Sequence, residues 1–159
     1  MKTISQIQSA LRKDYGLVGR EIEVENLVHC VRAGKHVLLE GPVGVGKTFL
    51  VSAIAKLLGK SVVRVDGDSR YTEQKLTGWF DPPTVLKKGY GKDSYFEGPL
   101  AEAMREGAIL FVNELNRMPE GVQNVLLPAL DEKRIEIPRI GELKAKPGFT
   151  LVEIGRAHV

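Results

Sequence analysis

Two short stretches carry residue types in an order suited to chemistry on a phosphate chain. The first is Gly41-Pro42-Val43-Gly44-Val45-Gly46-Lys47-Thr48, which fits G-x-x-x-x-G-K-[ST] at every position. Its glycines let the backbone turn tightly, so that successive amide N–H groups converge on one anion. A helix starting near Lys47 adds the positive end of its dipole. In this arrangement Lys47 is expected to meet the β- and γ-phosphates of a nucleotide, and the Thr48 hydroxyl to ligate Mg²⁺. The bland alternative is a glycine turn that simply precedes a helix. Motif and context together, with an apolar strand entering and a helix leaving, favour the phosphate cradle.

The second stretch is Ala108-Ile109-Leu110-Phe111-Val112-Asn113-Glu114. An apolar strand ending in two polar residues belongs beside the phosphate loop in a parallel sheet. Glu114 is then placed to orient and polarise an attacking water; otherwise it merely closes a strand. The residue before it, an aspartate in the usual motif, is here Asn113. The metal site therefore loses a formal charge, although the amide oxygen can still accept a hydrogen bond from a metal-bound water. Weaker Mg²⁺ binding is expected than with aspartate, without automatic loss of hydrolysis.

The elements that must position these residues follow from periodicity and punctuation. Residues 20–33 put Ile22, Leu27, Val28 and Val31 on one helical face, and Gly34 stops the helix. Residues 36–40 read as a strand, 48–58 as a helix ended by Gly59, and 61–66 as a strand. Residues 72–80 read as a short helix halted by Asp81-Pro82-Pro83. Two short β-like pieces around Gly89-Tyr90-Gly91 suggest a hairpin. A helix over 100–107 closes at Gly107, and the strand leading to Asn113 follows. A helix over 119–134 has Pro119 in its first turn and is kinked or shortened by Pro128. A second hairpin turns around Arg139–Glu142, and a further strand begins at Phe149. Strands alternating with helices predict a parallel α/β sheet with right-handed crossovers.

The totals exclude several classes. A chain of 159 residues, 43% hydrophobic and 27% charged, suits one globular domain. A net charge of +3 permits a nucleic-acid partner without demanding one. No apolar run approaches a membrane span, and the N-terminus lacks the apolar centre of a signal peptide. The single cysteine, Cys30, excludes an internal disulfide and reads as a core residue of the 20–33 helix. Together these features favour the cytoplasm.

With both motifs in place, the stretch from about Tyr15 to Val152 resembles a MoxR-type AAA+ ATPase, of the clade with a hairpin inserted in its second helix. GLVGREIEVENLVHCVRAGKHVLLEGPVGVGKT resembles the family's entry, LTGWFDPPTVLKKGYGKDSYFEGPL its insert region, and FVNELNRMPEGVQNVLLPALDE its second motif and following helix. The resemblance implies a P-loop sheet of order 5-1-4-3-2, with the fourth strand between the P-loop strand and the Asn113-Glu114 strand. It places the Val18-Gly19-Arg20 turn near the adenine, with Val18 and Gly19 in the nucleotide-binding set, and adds Phe49 to that set. It implies ATP and Mg²⁺ as cofactors, a homo-oligomeric ring (usually a hexamer), and remodelling of a partner, often one with a von Willebrand A domain. Trp79 and Phe80 either touch a client through the ring pore or pack under the insert. Arg117 either reaches a neighbouring subunit or is a solvated arginine. Two rival functions stand beside this one. Asn113 suggests a regulatory subunit that binds nucleotide without hydrolysing it. A nucleic-acid-directed motor is the other, with Lys87, Lys88, Lys92, Tyr90 and Tyr95 as its only candidate cluster, more simply a solvated hairpin.

The family pattern expects the strand from Phe149 to continue into a residue that senses the γ-phosphate, whereas the chain reads EIGRAHV. Codons for those seven residues, followed by a stop, resemble a common sequencing adapter. Residues 1–152 are therefore expected to be a partial AAA+ nucleotide-binding domain, and 153–159 a non-biological tail. On this expectation the fifth strand and the lid domain are missing, Ile154 still preserves strand alternation, and the 159-residue chain alone hydrolyses ATP negligibly.

Overall fold

The computed structural model describes residues 2–42 and 44–156. The chain opens with α1 (Ile4–Tyr15), a helix for which the sequence reading made no provision. Its start is fixed by Thr3 and Gln6: Thr3 Oγ1 accepts from the Gln6 N–H, and Gln6 Oε1 accepts from the Thr3 N–H. Helix α2 (Glu21–Arg32) buries Val24, Leu27, Val28 and Val31. Ile22, expected on that face, is instead 73% exposed; the buried face is the one made by Val24, Leu27, Val28 and Val31, which leaves Ile22 to solvent. Cys30 is half-buried and so sits at the margin of the core rather than in it.

Strand β1 (Val37–Gly41) leads into the phosphate loop, and α3 (Lys47–Leu58) leaves it. Next come β2 (Val62–Asp66), α4 (Glu73–Thr77), β3 (Gly78–Phe80), α5 (Pro82–Lys88) and β4 (Tyr95–Glu97). They are followed by α6 (Pro99–Glu106), β5 (Ile109–Asn113) and α7 (Glu120–Asp131). The chain then forms β6 (Arg134–Ile137), β7 (Gly141–Lys144) and β8 (Thr150–Arg156).

Four strands form one parallel sheet in the order β1-β8-β5-β2. Strand β8 thus lies between the P-loop strand and the Asn113 strand, as expected, and β1 is an edge among the described strands. β8 is continuous through Ile154, which is 5% exposed and pairs with Leu39 on one side and Asn113 on the other. The sheet is covered on both faces, and the alternation of β5 shows it. Leu110 and Val112 join the core built with α4, α6, α7 and the β6–β7 hairpin, while Ile109 and Phe111 join the core built with α1, α2 and α3.

Several readings need correction. Asp81-Pro82-Pro83 does not halt a helix. It starts α5, because Asp81 Oδ2 accepts from the Thr84 N–H and the prolines occupy first-turn positions that need no donor. The first hairpin does exist, but its arms are β3 and β4, paired Gly78↔Glu97 to Phe80↔Tyr95, with α5 lying between them. Residues 78–80, read as the end of a helix, are therefore strand. Gly78 has φ +134 and Tyr95 Oη lies 2.3 Å from where its Cβ would stand, so a side chain there has no room. The second hairpin, β6–β7, pairs as read, with Arg139 in the left-handed region at φ +67. Pro128 falls near the end of α7, which stops at Asp131, short of the expected residue 134.

Candidate functional site

The sheet brings the two motifs together at the C-terminal ends of its strands, where open parallel sheets hold their ligands. One cavity of about 400 Å³ is lined by Gly44, Val45, Gly46, Lys47, Thr48 and Phe49 from the loop side. Asn113, Glu114 and Ile154 line it from the sheet side. Of the nucleotide-binding set, Val43 lies outside the described residues.

Gly44 and Gly46 sit at φ +84 and +80, left-handed backbone that a side chain would strain. Gly46 is also the residue before α3, and no side chain caps that helix. The first-turn N–H groups of α3 are thus left for an anion. Lys47 Nζ donates to Gly41 O at 2.6 Å and Pro42 O at 2.8 Å, which holds the ammonium against the loop's own carbonyls. Phe49 is 47% exposed and meets the Tyr15 ring edge-on, with centroids 5.9 Å apart.

A second, smaller cavity of about 160 Å³ shares Val45, Gly46 and Lys47 with the first. Leu17, Arg20, Glu23 and Leu50 line it together with Gly41, Pro42, Val45, Gly46 and Lys47. The turn expected near the adenine therefore flanks the loop through its Arg20, with Leu17 just before it. Val18 is 69% exposed, and neither it nor Gly19 lines the cavity.

On the sheet side, Asn113 Nδ2 donates to Asp66 Oδ1 at 3.1 Å, and the Asn113 carbonyl accepts from the Gly67 N–H at 2.7 Å. Asp66 also takes a fork from Arg64, with Nε and Nη2 on its two oxygens. That hydrogen bond first, and the one from Asn113 after it, hold the Asp66 carboxyl below its usual range against the opposing effect of burial. Glu114 has left-handed backbone at φ +55 and ψ +50, donates its N–H to Ile154 O at 3.1 Å, and has a side chain only 14% exposed. Its Oε2 accepts from Arg117 Nη1 at 2.8 Å. Arg117 thus meets the candidate base of its own chain, an interaction that neither sequence reading of this residue foresaw. The pair is half open to solvent on the arginine side, so it is weak enough to separate.

Sequence reasoning missed Asp66 and Gly67. A Cβ on Gly67 would stand 2.0 Å from the Glu114 carbonyl oxygen, so only glycine lets the end of β2 approach the Asn113-Glu114 turn. The signal was present as an Asp-Gly pair ending the apolar run Val62–Asp66, but nothing local tied it to Asn113. Trp79 and Phe80 lie in the insert. Trp79 is 46% exposed and stacks on Phe96 with centroids 5.9 Å apart, whereas Phe80 packs against Tyr90 and Tyr95.

The donor set suits a magnesium ion carried by a nucleotide. The Thr48 hydroxyl and the Asn113 amide offer neutral oxygens at one cavity, and Mg²⁺ is commonly completed by phosphate oxygens and water. Among the described residues no group of three or more His, Cys, Asp or Glu is placed to hold a metal by itself. No helix among them is long and apolar enough to cross a membrane.

Comparison with known proteins agrees with this geometry. Residues 36–155 match the family described as AAA domain (dynein-related subfamily). The protein NorQ of Paracoccus denitrificans is 40% identical over 118 residues, covering 73% of this chain and 42% of NorQ. The crystal structure of a candidate ATPase from Cytophaga hutchinsonii superposes with a TM-score of 0.72 at 22% identity, over 98% of this chain and 45% of that one. NtrX from Brucella abortus superposes with a TM-score of 0.61 at 24% identity, over 98% of this chain and 34% of that one. At these identities the two structures speak for the fold. The chain spans less than half the length of the curated relatives it matches.

Proposed function

The chain belongs to the AAA-domain family, in its dynein-related subfamily of MoxR type, and on that premise we propose that it binds Mg²⁺-ATP at the cavity between the phosphate loop and Asn113-Glu114. We further propose that the full-length protein hydrolyses ATP to remodel or mature a partner protein complex. The observation that carries the chemistry is that Lys47 and Thr48 line one cavity with Glu114, which is distant from them in sequence.

Each residue then has a physical task. The N–H groups of the loop and of the first turn of α3 take the phosphate charge. Lys47 leaves the carbonyls of Gly41 and Pro42 for the phosphate oxygens, which are stronger acceptors for an ammonium. Thr48 and Asn113, in the wall of the same cavity, would hold the magnesium, which would supply positive charge against the phosphates. Glu114 takes up the proton of an attacking water once Arg117 releases it. The hexameric ring and a partner with a von Willebrand A domain are supported by the family resemblance alone, and the cytoplasmic setting by the composition alone.

The test is steady-state turnover of Mg²⁺-ATP by the full-length protein and its Glu114→Gln variant. Loss of turnover by about 10²–10⁴-fold, the usual contribution of a positioned base, with ATP binding retained, is the expected result. Asn113 favours one other reading, a nucleotide-bound regulator that does not hydrolyse. Tight ATP binding with no turnover above that of Glu114→Gln would establish it instead.

A further inference from the structure

The β2 end makes an arrangement that the phosphate-loop chemistry does not by itself require. Asp66 and Asn113 are register partners in the parallel ladder, and their side chains are bonded at 3.1 Å. An ionised carboxylate only accepts, so it takes the NH₂ side of a planar amide and leaves the carbonyl side for other partners. Asn113 lines the 400 Å³ cavity and Asp66 does not. The amide nitrogen is therefore engaged on the β2 side and the amide oxygen remains for the cavity. The anchor is itself held, because Arg64 clasps Asp66 through two guanidinium nitrogens. The Gly67 N–H fixes the Asn113 backbone from the same strand end.

We infer that Asp66 is a positioning residue of the magnesium site: it holds Asn113 by Nδ2 so that Oδ1 faces water around nucleotide-bound Mg²⁺. The inference rests on the nucleotide-binding reading above. Left free, an asparagine amide can present either its oxygen or its NH₂, and the NH₂ repels a cation. An aspartate at position 113 needs no such anchor, since both of its oxygens accept. The Asn113 motif thus depends on a carboxylate from the neighbouring strand that the aspartate motif does without.

The test is binding of a fluorescent ATP analogue to the full-length protein as Mg²⁺ is titrated, with binding in excess EDTA as the baseline. The readout is the Mg²⁺ concentration giving half the metal-dependent signal. Asp66→Ala is expected to raise it about fivefold, the worth of one partly exposed hydrogen bond, and to leave the EDTA baseline unchanged. Asp66→Asn keeps an acceptor for Asn113 and is expected to shift it less than about twofold. With Asn113→Asp already present, adding Asp66→Ala is expected not to raise it, since no NH₂ remains to be held and a like charge beside the new carboxylate is removed. Equal shifts for Asp66→Ala and Asp66→Asn would show that only charge matters and overturn the inference. So would an equal cost of Asp66→Ala with Asn113 or Asp at position 113, or no shift at all. If the wild-type protein binds no nucleotide, the functional reading falls and this inference with it. If it binds but Asp66→Ala is silent, only the inference falls.

Discussion

The phosphate-loop face and the aromatic insert are held by different kinds of contact. On the loop face the working groups are backbone N–H donors, and their geometry is set locally, by Gly44, Gly46 and the first turn of α3. In the insert, Gly78–Phe80 pairs with Tyr95–Glu97 across a whole intervening helix. Rings do the rest: Phe80 meets both Tyr90 and Tyr95, and Arg139 from the other hairpin lies 3.8 Å above the Tyr90 ring. Burial pushes the Tyr95 phenol up to about 12, so it stays protonated and donates to Thr77 O at 2.5 Å. A local turn motif tolerates change elsewhere, while a segment closed by distant contacts stands or falls with the core beneath it.

The sharpest way to separate the two regions is Leu76→Ala. Leu76 is fully buried in the core beneath the insert. Its truncation is expected to cost about 2–5 kcal/mol, read as a lower urea midpoint of the full-length protein. Nucleotide affinity measured well below that midpoint should change less than about twofold, because Leu76 belongs to the core on one face of the sheet and α3, which leaves the loop, to the core on the other. A large loss of affinity without loss of stability would mean that the regions are coupled.

Lys47→Ala is the converse. It should lower ATP affinity by about a hundredfold, as expected for charge-assisted bonds to phosphate, and leave the urea midpoint nearly unchanged. Wild-type affinity in a titration of the variant would show that the loop does not hold phosphate.

The smallest effect probes the ground the two regions share. His36 stands just before β1; its Nδ1 accepts from the Leu151 N–H at 2.9 Å, and its Nε2 lies 3.2 Å from Leu130 O. Lys133 Nζ also stands 2.5 Å from Nε2, so a proton added to the ring would face an ammonium. Burial first, and the charge of Lys133 after it, lower its affinity for a proton from the ordinary value of 6.5. The unfolded chain therefore takes up a proton that the folded chain resists. The resulting stability is present above about pH 6.5 and lost as pH falls through the lower folded value. Urea midpoints measured from neutral to mildly acidic pH should fall less steeply in His36→Gln than in wild type. Identical slopes would show that His36 does not contribute to acid sensitivity.

The amino-acid sequence by itself determined what is written in contiguous residues. The phosphate loop between a strand and a helix, the Asn113-Glu114 strand end, the β6–β7 turn and the helix ends at Gly34, Gly59 and Gly107 are all of this kind. Each depends on a backbone preference or a short period that a few neighbouring side chains enforce. The parallel sheet follows from the alternation of such units, and its order, with β8 beside the P-loop strand, from the family resemblance. Only the tertiary structure decided which surfaces meet. It turned Ile22 outward and made Asp81-Pro82-Pro83 the start of a helix. It joined Gly78–Phe80 to Tyr95–Glu97, and it set Arg117 on Glu114 and Asp66 on Asn113. Those outcomes depend on distances between segments far apart in the chain, which are fixed when the two faces of the sheet are covered and by no residue's own preference.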